Sequence, residues 1–294
     1  MKTSFIDFPA TDGIKLQGLL FESETDSNTV VLHIHGMAGS FYENSFIPVM
    51  AESYTKAGVS FLAFNNRGHD YLCDLERMTP DGVASVMGGA AYELIEDSLF
   101  DIEGAIAYVR KLGFSRIVLQ GHSLGTNKII YSLSQKSIDA AGIVLLSPCD
   151  NFGLHISEVG KKRSELVKLA ELHISKGNSE TLMPENIFFD YLLSARTYLG
   201  CFRDGSPLDT FPYHDSNNNF SMFKKAEVPI FIAFGTDGEY LLQTPDEVHR
   251  ILEQKKSPKA TISFNVIKGA PHSYTGKEKI VTEKIINWVG MLDG

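Results

Sequence analysis

The sequence predicts an α/β protein: a mostly parallel central sheet flanked by helices, with a helical insertion above one end. Three observations carry that expectation. Short, β-branched and nearly continuous apolar runs recur at residues 29–34, 59–64, 116–119, 142–148, 228–234 and 260–267, as expected of strands buried on both faces. Helical periodicity fills most of the intervals between them, which implies parallel crossovers. The alternation breaks once, after Asp150, and resumes near residue 225.

In chain order, residues 4–8 and 14–20 alternate apolar and polar positions around a Thr11-Asp12-Gly13 turn and read as two strands. The run at 29–34 ends in the small-residue loop His35-Gly36-Met37-Ala38-Gly39-Ser40. Phe46, Val49, Met50, Tyr54 and Ala57 then fall at helical spacing, with Gly58 as a stop. The strand at 59–64 runs into Asn65-Asn66-Arg67-Gly68-His69-Asp70, and residues 71–91 read as irregular around a Thr79-Pro80-Asp81-Gly82 turn. Ile95, Leu99, Ile102, Ile106 and Val109 form the clearest helical stripe, which Gly113 ends. After the strand at 142–148, Leu166, Leu169, Ala170 and His173 share one helix face. Phe188, Phe189, Tyr191, Leu192, Ala195 and Leu199 make a second apolar cluster, and residues 203–219 are a polar loop. A charged helix at 245–255 and a helix striped by Val281, Ile285, Trp288 and Val289 complete the pattern. The expected organisation is a core of residues 1–150 and 225–294 with a cap insertion at 151–224.

Composition bounds the function. At 294 residues, 43% hydrophobic and 21% charged, the chain is an ordinary globular one. A net charge of −9 argues against a nucleic-acid partner, which calls for a basic face. Cys73, Cys149 and Cys201 are odd in number and widely spaced, without CxxC or paired-histidine spacing, so neither a disulfide framework nor a metal site is expected. No cofactor is expected either. The start lacks the apolar core of a secretory signal, and no apolar run approaches the ~18 residues of a membrane span. A cytoplasmic location is therefore expected; oligomeric state is left open.

The chemistry centres on Gly121-His122-Ser123-Leu124-Gly125, a G-x-S-x-G element between a strand and a helix. A sharp strand-to-helix turn there would present the Ser123 hydroxyl over the sheet end, and side chains at 121 and 125 would crowd it. A serine hydroxyl needs a base to take its proton, and histidine, with a pKa near neutrality, suits that role. A carboxylate then orients the imidazole and stabilises its cation. Asp150, Asp237 and His272 lie, with Ser123, in loops at the carboxyl ends of the expected strands, where ligands bind in such sheets.

These residues resemble the α/β-hydrolase superfamily, whose triad runs in the order Ser, Asp or Glu, His. The resemblance covers nearly the whole chain outside residues 151–224. It implies Ser123 as nucleophile, Asp237 as acid and His272 as base, with the backbone N–H groups of Met37 and Leu124 as oxyanion hole. Asp150 is the competing acid, because some members place it on that strand. The stretch Gly36 to Asn44 also resembles a small esterase branch that includes siderophore-ester hydrolases. The implied activity is cleavage of a small-molecule carboxylic ester through an acyl-enzyme. The same machinery serves thioesterases, amidases, peptidases and acyltransferases, and a ligand receptor can use the fold without turnover. His33, inside a strand, reads as a satisfied structural histidine; His35 and His69 read as loop supports. His155, His173 and His214 read as surface residues, and Cys149 as packing.

Overall fold

The computed structural model describes residues 1–184 and 191–292. In chain order the elements are β1 (Lys2–Pro9), β2 (Lys15–Glu22), β3 (Thr29–Ile34), α1 (Phe46–Lys56), β4 (Ser60–Asn65), β5 (Cys73–Thr79), β6 (Gly82–Gly88), α2 (Ser98–Lys111), β7 (Arg116–His122), α3 (Leu124–Gln135) and β8 (Gly142–Leu146). Then follow α4 (Asn151–Val159), α5 (Arg163–Ser175), α6 (Ala195–Phe202), β9 (Ile230–Asp237), α7 (Pro245–Lys255), β10 (Ile262–Pro271) and α8 (Glu278–Met291).

Eight strands form one sheet in the order β1-β2-β4-β3-β7-β8-β9-β10. The β1–β2 and β2–β4 pairs are antiparallel; every other pair in this sheet is parallel. The central strands are buried on both faces, and their alternate side chains feed two separate cores. Leu32 and Leu119 pack with Ile102 and Val109 of α2 and Ile129 and Ile130 of α3. Val31 and Val118 pack on the other side with Met50 and Tyr54 of α1 and Ile285 and Val289 of α8. This period-two partition is why β3, β7, β8 and β9 read as continuous apolar runs. β3 is followed by a neighbour on one side (β4) and later by one on the other (β7), so the order reverses between β3 and β7. A crevice opens at the carboxyl end of such a reversal.

One expectation fails locally. Residues 71–91 are not irregular: β5 and β6 form an antiparallel hairpin that pairs Leu75 with Val86 and Met78 with Val83. Leu75 faces inward, but Met78, Val83 and Met87 are exposed. Apolar residues on both faces blur the in–out alternation by which a hairpin is recognised.

Among the described residues, 151–224 contribute helices and turns and no strand to the sheet. Phe152, Ala170, Tyr198, Cys201 and Phe202 gather in a third apolar cluster that packs onto Leu124 and Ile95, with Met37 and Tyr191 at its margin. Phe188 and Phe189 lie outside the described residues. No helix among the described residues is long and apolar enough to cross a membrane.

Candidate active site

Ser123 sits between β7 and α3 with φ 53° and ψ −124°, a conformation that non-glycine residues rarely adopt. The turn is this sharp because α3 starts at once against β3: a Cβ on Gly125 would lie 2.1 Å from the carbonyl oxygen of Ile34. The loop after β3 abuts the same turn, since a Cβ on Gly36 would stand 3.0 Å from the Ser123 Cβ. Met37 and Leu124 thus border the nucleophile position. Neither of their backbone N–H groups finds an acceptor among the described residues, as an oxyanion hole requires.

His272 follows β10, and its Nδ1 lies 2.8 Å from Glu239 Oε2. The expected acid, Asp237, is not there. β9 extends to Asp237, which pairs with Pro271, and the Asp237 side chain is exposed and accepts a hydrogen bond from Thr236 Oγ1 at 2.7 Å. The chain then turns at Gly238 and brings the Glu239 carboxylate back beneath the strand end. Its Oε1 accepts from Gly235 N at 2.6 Å and from Ser147 Oγ at 2.8 Å. Burial pushes this carboxyl up, but hydrogen bonds from His272, Gly235 and Ser147 outweigh that effect and hold it below the usual carboxylate range. The signal was present in sequence: a second acid two residues past Asp237, beyond a glycine, in a family order that admits Asp or Glu. Ser147 has φ 51° and is fully buried. Its Oγ also lies 2.9 Å from the Tyr274 hydroxyl, which donates to Ala233 O at 2.7 Å. One buried serine therefore joins the ends of β8 and β9 to the loop that carries His272.

His122, beside Ser123, donates Nε2–H to the carbonyl of His272 at 2.9 Å. Burial lowers its pKa to about 3, so it is neutral and fixes the His272 backbone. Ser123 and His272 face one cavity of about 190 Å³, whose wall also includes Met37, Tyr191 and Tyr240. The Tyr240 ring stands edge-on to His272, with centroids 4.7 Å apart.

Asp150 is engaged elsewhere. Its Oδ1 accepts from Gly153 N at 2.7 Å, capping α4, and its Oδ2 accepts from His214 N at 2.7 Å and meets His214 Nδ1 at 2.8 Å. Asp150, Asp209 and His214 also bring their potential ligand atoms within 4.8 Å of one another. The three donors already on Asp150 make this arrangement a helix cap tied to a loop. His155, expected at the surface, is instead fully buried, 3.0 Å from the Tyr198 hydroxyl and stacked on Phe202. His33 is only half satisfied: Nδ1 lies 3.1 Å from Gln120 Nε2, while Nε2 is buried without a hydrogen-bond partner among the described residues.

A buried polar cluster supports the loops after β3 and β4. His35 Nδ1 contacts Gly36 O at 2.8 Å, and its Nε2 accepts from Asn66 N at 3.1 Å. Lys128 Nζ donates to Asn66 Oδ1 at 3.0 Å and pairs with Glu93 Oε1 at 2.5 Å, with both charged side chains sealed from solvent. Arg67 bridges Asp101 and Asp12.

The fold is the α/β-hydrolase fold. The chain belongs to the family described as protein of unknown function DUF1749, whose model matches residues 83–291. No curated protein matches the sequence. The structure is similar to the siderophore hydrolase EstB from Aspergillus fumigatus, with a TM-score of 0.73 and 13% identity over 99% of this chain and 98% of that one. It is similar to a soluble variant of monoglyceride lipase from Saccharomyces cerevisiae, with a TM-score of 0.65 and 14% identity over 99% and 96% of the two chains. Ferulic-acid-bound Est1E from Butyrivibrio proteoclasticus aligns with a TM-score of 0.63 and 18% identity over 97% and 98%.

Proposed function

We propose that this protein is a serine hydrolase that cleaves a small-molecule carboxylic ester through an acyl-enzyme. Ser123 is the nucleophile, His272 the general base and Glu239, in place of Asp237, the acid. The observation that carries this reading is that His272, paired with Glu239, lines the same cavity as a strained Ser123. Glu239 holds the Nδ1–H of His272, which leaves Nε2 to take the Ser123 proton. The Ser123 oxygen adds to the ester carbonyl, and the N–H groups of Met37 and Leu124 stabilise the oxyanion. Collapse breaks the C–O bond to the alcohol, which leaves with the proton from His272. Water, deprotonated by His272, then releases the acid and restores Ser123. Residues 151–224 act as a cap: their apolar cluster rests on Leu124 and Met37, directly beside the nucleophile. The names of the similar structures, an esterase, a siderophore hydrolase and a lipase, agree with ester chemistry.

A fluorophosphonate probe should label Ser123 in the wild-type protein and leave Ser123→Ala unmodified. A panel of short esters, thioesters and anilides should be turned over with esters preferred, and Ser123→Ala should lose about 10⁴-fold or more in kcat. Equal rates for wild type and Ser123→Ala, or labelling at another residue, would refute the assignment.

A further inference from the structure

The cavity at Ser123 has a wall that the chemistry above does not use. Asn151, the first residue of α4, lines it and is 4% exposed. A neighbour fixes the orientation of its amide. Asn127, fully buried on α3, directs Nδ2 to the carbonyls of Cys149 at 3.3 Å and Leu208 at 3.2 Å, and to Thr210 Oγ1 at 2.9 Å. Carbonyls only accept, so the NH₂ of Asn127 must face them and its Oδ1 must face Asn151. Asn151 accordingly donates Nδ2–H to Asn127 Oδ1 at 3.0 Å. What remains of Asn151 is Oδ1, an acceptor that receives no hydrogen bond among the described residues, on a side chain that lines the cavity. Asn44, on the same wall, is set the same way: its Nδ2 donates to Ser40 O at 3.0 Å, and its Oδ1 receives no hydrogen bond among the described residues.

Two amide oxygens offered to one small space call for a donor. Among the described residues of that wall there is no lysine or arginine, and His122 is neutral, so a carboxylate or phosphate on the substrate would find no such cation among them. We propose that the site selects a neutral ester bearing a hydroxyl group, and that Asn151 Oδ1, pre-oriented by Asn127, accepts the hydrogen bond from it. The proposal rests on the ester-hydrolase reading for turnover, but not for binding. An acceptor built to receive a hydroxyl rejects the methyl isostere because it is then left unpaired.

Matched pairs of esters in which a hydroxyl replaces a methyl test this. Methyl 3-hydroxybutyrate against methyl 3-methylbutyrate probes the acyl side, and 2-hydroxyethyl butyrate against propyl butyrate probes the alcohol side. The wild-type enzyme should favour the hydroxylated member of one pair by about tenfold in kcat/KM, the worth of one such hydrogen bond. In Asn151→Leu that ratio should fall to near one; being a ratio, it is independent of the folded fraction. Titration of the same pairs into Ser123→Ala by calorimetry reads selection without turnover and without altering Asn151. Equal binding within both pairs, or an unchanged ratio in Asn151→Leu, would overturn the proposal. Selective binding without any turnover by the wild type would sink the ester-hydrolase reading and leave this one standing.

Discussion

Glu239 and His272, 33 residues apart in sequence, meet through a single 2.8 Å contact between Oε2 and Nδ1. Besides His272, two donors hold Glu239 there among the described residues: Gly235, on the β9 strand that leads into it, and Ser147, just beyond the neighbouring β8. The carboxylate is therefore oriented by the carboxyl ends of β8 and β9.

Exchange of the acid follows directly. Glu239→Gln should depress kcat by about 10³–10⁴-fold, because the amide no longer enforces the tautomer with Nδ1–H. Asp237→Asn, on an exposed strand end, should leave kcat near the wild-type value. Steady-state kinetics on a labelled-and-counted active fraction decides it; the reverse ranking would return the role to Asp237.

Ser147 and Tyr274 position the pair without touching the reacting atoms. Ser147→Ala removes one donor to a buried carboxylate, an interaction worth about 1.5–3 kcal/mol. We expect kcat to fall by about tenfold or more at an unchanged KM. Tyr274→Phe should act through the same hydroxyl chain, so the double variant should cost less than the product of the singles. Multiplicative losses, or a loss that lies in KM, would mean that the two residues only pack.

Stability should depend on pH well above the carboxylate range. Burial lowers the pKa of His33 and of His122 to about 3, and that of His35 well below its usual 6.5. These groups favour folding while neutral, so their contribution is complete above pH 6.5. As pH falls from 6.5 towards 3 the unfolded chain binds protons that the native rings refuse, and stability is lost. His33 and His122 together imply roughly 3 kcal/mol per pH unit within that window. Urea unfolding at pH 7.5, 6.5 and 5.5 measures it; a flat profile would contradict the buried, neutral state of these rings.

The Lys128–Glu93 pair should behave as a buried ion pair. Lys128→Met strands Glu93 in the core and should destabilise by about 3–5 kcal/mol, whereas adding Glu93→Leu should recover much of that loss. Denaturant midpoints of the two variants test it. A double variant no better than the single one would show that the pair's value lies in holding Asn66, and through it His35.

The sequence alone determined the strand–helix alternation, the sharp turn at Ser123, and the place of His272 after the last strand, because each is written locally: in apolar periodicity, in glycines beside a serine, and in a histidine that follows an apolar run. Three matters were decided only by tertiary structure. Asp237 and Glu239 are nearly equivalent acids in sequence, and only the extension of β9 to Asp237 turns one outward and the other towards His272. His155 reads as a surface residue until Tyr198 and Phe202, from a helix some forty positions later, close over it. Asn151 reads as an ordinary helix start, yet the orientation of its amide is settled by Asn127, whose own orientation is settled by carbonyls of two further segments. In each case the deciding partner is remote along the chain, and a residue's polarity says that it needs a partner but not which one folding will supply.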